Sequence, residues 1–74
     1  MPQKQFRVTL ETRDGRRILS AATEREAALM AESVLRRYEG ESFTVGFCVD
    51  CADREASHRI AFYLTDLALE LDLA

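Results

Sequence analysis

The chain has 74 residues, 10 Lys+Arg against 13 Asp+Glu, one His, two Cys, no Trp and a formal net charge of −3. That length suits one domain, residues 1–74, near the lower limit for a stable hydrophobic core, and leaves no room for a cofactor-binding fold beside a substrate domain. A hydrophobic fraction of 47% with 31% charged residues argues against an unfolded chain, and no apolar run nears the roughly 20 residues that cross a bilayer.

The opening residues Met1-Pro2-Gln3-Lys4-Gln5 lack the apolar middle of a signal peptide, so the expected location is the cytoplasm. Phe6 to Thr12 alternates apolar and polar residues, which predicts a strand with Phe6, Val8 and Leu10 on one face. Arg13-Asp14-Gly15-Arg16 follows, and Asp-Gly supplies the positive φ angles of a two-residue hairpin turn. The expected register sets Leu10 opposite Leu19 and Val8 opposite Ala21.

Thr23-Glu24-Arg25-Glu26 is a capping box, in which the Thr23 hydroxyl serves the Glu26 amide and opens a helix. Its predicted core stripe is Ala27, Met30, Ala31, Val34, Leu35 and Tyr38. Arg36 and Arg37 favour the helix end, and Gly40 ends it. Ser42 to Val49 alternates again, predicting a third strand with Phe43, Val45, Phe47 and Val49 inward.

From Asp53 to Leu73 there is no Gly or Pro, and Ala, Leu and Glu dominate. We read a second helix, capped by Asp50 or Asp53, with Ala56, Ile60, Tyr63, Leu64, Leu67 and Leu71 inward. The rival reading is a hairpin turning at Thr65-Asp66, because Leu67, Leu69, Leu71 and Leu73 also alternate with polar or small residues. The predicted fold class is α+β, a two-layer β-β-α-β-α arrangement with a three-stranded sheet of order 2-1-3 and both helices on one face.

Candidate chemistry is sparse. Cys48-Val49-Asp50-Cys51 has the spacing of a shared metal ion or a redox disulfide, with His58 seven positions on as the only His. Two Cys and one His leave a tetrahedral zinc site one ligand short. The plainer reading makes Cys48 a sheet residue, Cys51 a small buried one and His58 an exposed one, so no metal or cofactor is expected. No Gly-rich phosphate loop, catalytic triad spacing or paired His is present, which argues against an enzyme. A basic hairpin with Arg7, Arg13 and Arg16 on the outer sheet face, and Arg17 beside them in sequence, offers a nucleic-acid-binding regulator as a further alternative, though no aromatic is interleaved on that face.

The second helix needs the most explanation, because beyond its core stripe it carries Phe62, Leu69 and Leu73, beside His58 and Thr65, on the opposite side. A helix apolar on two sides must be sandwiched. That stripe is expected to pack on a twofold mate, giving a homodimer, or on a foreign protein.

The passage from Phe6 to Met30, with its Asp-Gly turn, the strand ending Leu19-Ser20-Ala21-Ala22 and the helix opened by Thr23-Glu24-Arg25-Glu26-Ala27, resembles the start of many small proteins of bacteriophages and mobile elements. It is similar in size and layout to some anti-CRISPR proteins. The resemblance covers about a third of the chain. It implies a phage-encoded, non-enzymatic inhibitor that occupies a surface of a bacterial effector complex and uses acidic patches, here Glu24, Glu26, Glu32, Glu39 and Glu41 with the acidic tail, to compete with nucleic acid. The expected function is thus a small protein-interaction module, with Phe62, Leu69, Leu73, Arg13, Arg16, Arg17, Glu24 and Glu32 as partner-binding residues.

Overall fold

The computed structural model describes residues 6–41 and 44–73. Five elements follow in order: β1 (Phe6–Thr12), β2 (Gly15–Ala21), α1 (Glu24–Arg36), β3 (Gly46–Asp50) and α2 (Arg54–Glu70). The sheet order is β2-β1-β3. β1 pairs antiparallel with both neighbours, so β2 and β3 run parallel on either side of it. The predicted α+β class, strand order and two packed helices are all present.

The hairpin register differs from the expected one by two residues. Val8 faces Leu19, Phe6 faces Ala21 and Leu10 faces Arg17. The turn residues are Arg13 and Asp14, and positive φ falls only on Gly15 (118°) rather than on Asp14 and Gly15 together. Thr12 fixes this geometry: its Oγ1 accepts from the Asp14 amide (3.2 Å) and donates to the Gly15 carbonyl (2.9 Å). A shift of two preserves the pleat, so Phe6, Val8 and Leu10 keep the inner face as predicted.

The Thr23 cap forms as read, with the Glu26 amide donating to Thr23 Oγ1 at 3.1 Å. The helix ends at Arg36, and Gly40 adopts positive φ (80°) in the following turns, where its amide donates to the Leu71 carbonyl (3.2 Å). Asp53, not Asp50, caps α2: its Oδ1 accepts from the Glu55 and Ala56 amides, at 3.0 and 3.2 Å. Asp50 remains in β3, opposite Arg7.

Two boundaries are corrected. β3 starts at Gly46 because the Val45 amide donates to the Leu73 carbonyl (2.9 Å) instead of extending the ladder with β1. The predicted strand residues Ser42 and Phe43 lie outside the described residues. Residues 54–70 form one helix, so the hairpin at Thr65-Asp66 does not occur. That helix stops before Leu73. The Leu73 amide donates to the Ala68 carbonyl (2.7 Å) and the Asp72 amide to that of Leu69 (3.3 Å), the paired bonds of a Schellman cap, with Asp72 in the left-handed region (φ 64°).

The reversal swings Leu73 inward to 0% exposure, which removes it from the outer stripe. Leu73 thereby joins Val8, Leu10, Leu35, Ile60 and Leu64 as the largest fully buried side chains. Each such side chain contributes about 1.5–3 kcal/mol by leaving water. Ala27, Ala31 and Val34 of α1 and Ala56, Leu67 and Ala68 of α2 complete the helical side of the core, with Phe47 and Val49 half-buried beneath them. Met30 and Tyr63, expected inside, sit at its margin, 37% and 41% exposed.

Candidate protein-interaction surface

On α2 the positions His58, Phe62, Thr65 and Leu69 recur every three to four residues and are all exposed, on the side opposite Ala56, Ile60, Leu64 and Leu67. Phe62 is 71% exposed and Leu69 64%. Seven residues of helix place them roughly 10 Å apart. Between them, Thr65 Oγ1 donates to the Ala61 carbonyl (2.8 Å), so its hydroxyl hydrogen is used within the helix. The surface offered there is chiefly aromatic and aliphatic.

Sequence reasoning found Phe62 and Leu69 but missed Leu29, which is 52% exposed on α1. Both helices cover the same side of the sheet, and Leu29 lies away from its helix's buried stripe of Ala27, Ala31 and Val34. It is therefore a second exposed apolar position, on α1 rather than α2. The signal was available: Leu29 falls outside the helical period of the core residues.

Towards the end of α2, beside Leu69, the uncommitted charge is acidic. Asp66, Glu70 and Asp72 have no ion pair among the described residues, and the last turn of α2 has no basic residue. The acids of α1 are otherwise engaged. Glu24 accepts two hydrogen bonds from Arg59, at 2.8 and 2.7 Å, tying α1 to α2. That hydrogen bonding holds the Glu24 carboxyl below its usual range and raises the Arg59 guanidinium.

Glu32 accepts from the Tyr63 hydroxyl and from Arg36 Nε (2.8 Å). The Tyr63 bond, then the Arg36 bond, lowers the Glu32 carboxyl, and the same contact raises the Tyr63 phenol. Glu24 and Tyr63, with Arg25, Ala28, Arg59 and Ile60, line a groove of about 390 Å³ between the helices. Glu24 and Glu32 thus serve the contact between α1 and α2, and their charge is already matched.

The hairpin cations are placed differently from one another. Arg16 lies opposite Glu11 and approaches it to 4.0 Å, Arg7 lies opposite Asp50, and Arg13 pairs with Glu41. Charges of both signs thus alternate across the outer sheet face. Arg17 points to the other face and has no ion pair among the described residues.

Cys48, Cys51 and His58 are not brought together. Cys48 pairs with Thr9 on the open sheet face, whereas Cys51 packs half-buried against the core and its Sγ donates to the Asp53 carbonyl (3.1 Å). His58 is on the outward side of α2. Strand pleating separates two positions three apart in sequence. Among the described residues no cluster of three His, Cys, Asp or Glu has the arrangement of a metal site.

The fold and surface define a class: a small α+β sandwich with an open sheet face and an acidic, apolar outer helix. No protein-family model matches the chain, and neither the curated proteins nor the solved structures give a match. No helix among the described residues is long and apolar enough to cross a membrane.

Proposed function

We propose that the chain is a non-enzymatic protein-interaction module that acts by covering a surface of a larger bacterial protein complex, with the inhibitory role that its resemblance to anti-CRISPR proteins implies. The observation carrying this reading is the exposure of Phe62 and Leu69 on the outward side of a helix whose other side already fills the core. Isolated surface apolar residues are common, but an aromatic and a leucine at i and i+7 on one helix face have the anchor spacing of a helix that docks in an apolar groove. The unpaired acids beside them select a partner whose apolar cleft is rimmed by Arg or Lys.

Glu24, Glu32, Arg59 and Tyr63, all with displaced pKa values, join the two helices, which supports a structural rather than a catalytic role for them. The uncommitted charge at the end of α2 is acidic only, which favours a foreign partner that supplies cations at that end.

Affinity capture from bacterial lysate tests the proposal, comparing the wild type with Phe62→Glu/Leu69→Glu and with the control Cys48→Glu on the open sheet face. A defined protein complex retained by the wild type and the control but lost by the double variant supports the reading. Equal recovery by all three, or recovery of nothing reproducible, overturns it. Light scattering on the purified chain identifies the homodimer outcome.

A further inference from the structure

We propose that β2 is a docking edge for an extended acidic segment of another protein, which adds to the sheet as a fourth strand. β2 lies at the outside of the sheet, paired only with β1. Its seven residues run in unbroken register with β1, with no bulge and no proline. An edge of this length leaves a row of main-chain donors and acceptors on its free side. The opposite edge is less available. β3 has five residues, ends in Asp50, and its Val49 carbonyl already accepts from Ser57 Oγ (3.2 Å).

The side chains of β2 specify the chemistry of the added strand. Arg16 and Arg17 are consecutive, so pleating sends one guanidinium to each face of the sheet. Both are exposed, Arg17 without an ion pair among the described residues and Arg16 with only the 4.0 Å approach to Glu11. No acidic residue occurs in the strand. Two adjacent carboxylates on an incoming strand would each meet one arginine, on opposite faces. Next along the edge, Ile18 is 61% exposed on the open sheet face and awaits an apolar neighbour. Two copies of β2 pairing with each other would line four guanidinium groups along one short seam, so the same charges that attract an acidic strand disfavour self-pairing.

The test is a titration of the isotopically labelled chain, followed by amide NMR, with the blocked peptide Thr-Val-Val-Glu-Glu, which in antiparallel alignment sets its glutamates beside Arg17 and Arg16. Thr-Val-Val-Lys-Lys is the control. Saturable shifts confined to residues 15–21 and their β1 partners are expected with the acidic peptide only. Arg17→Gln should weaken binding roughly two- to fivefold, as for an exposed charge pair. Arg16→Glu/Arg17→Glu should reverse the preference towards the lysine peptide. If the double reversal fails to fold, the milder Arg17→Gln carries the test. Absent shifts at millimolar peptide, equal responses to both peptides, or shifts centred on α2 overturn the proposal. Phe62→Glu/Leu69→Glu should titrate like the wild type, which separates this edge from the helical surface.

Discussion

Replacing Leu73 by Ala tests the most consequential feature of the carboxy-terminal region. Leu73 is the next-to-last residue, yet it is 0% exposed, and its backbone closes the cap on Ala68 and holds Val45. Truncating a buried leucine costs about 2–5 kcal/mol, and a position beyond the last helical turn relaxes more readily than a helix interior, so the lower part of that range, about 2–3 kcal/mol, applies. A domain of this size has a total stability of roughly 4–11 kcal/mol. Leu73→Ala should therefore lower the thermal midpoint by roughly 10–20 °C. The assay is urea and thermal unfolding followed by circular dichroism, with Leu69→Ala as control. Leu69 is 64% exposed and should change stability by no more than about 0.5 kcal/mol. A Leu73→Ala loss as small as that of the control would refute the inward turn at Asp72.

Two further outcomes follow from local geometry and charge. Asp72→Gly should stabilise the chain by about 0.5–1 kcal/mol, seen as a higher urea midpoint at unchanged slope, because glycine adopts the left-handed conformation freely and an unpaired negative charge leaves the helix end. The Glu24 and Glu32 carboxyls are lowered in the fold, so their contribution to stability is full above the ordinary carboxylate value of 4.5 and drains away as the pH falls through their folded values. Glu24→Gln should flatten the acid limb of a stability-versus-pH curve, and a limb unchanged from the wild type would remove Arg59–Glu24 from the account.

The elements were legible because periodicity and caps agree along the chain: Thr23 and Asp53 each open a helix, and Phe6, Val8 and Leu10 alternate cleanly. The hairpin register was not, because Asp-Gly suggested positive φ at two residues, and only the Thr12 side chain decides that Gly15 alone takes it. The fate of Leu73 was hidden for a similar reason. An aspartate in the left-handed region gives a much weaker stop signal than a glycine, so helical periodicity carried the residue to the wrong side.

For the surface, Phe62 and Leu69 were readable from helical spacing, since one buried stripe fixes the other side of a rod. Pairings between distant residues were not. Glu24 with Arg59, Glu32 with Tyr63 and Arg13 with Glu41 lie 35, 31 and 28 residues apart and depend on how α1, α2 and the hairpin turn are placed. Those contacts move Glu24, Glu32 and Arg13 out of the pool of uncommitted charges and leave Asp66, Glu70, Asp72 and Arg17 within it.

On the proposed function, the outward side of α2 is where this protein meets its partner. Hydroxyl-radical footprinting of the chain alone and in the captured complex measures this side chain by side chain. The account predicts that Phe62 and Leu69 become protected in the complex while oxidation of Cys48 on the open sheet face is unchanged. Equal labelling of Phe62 and Leu69 in the two states would contradict it.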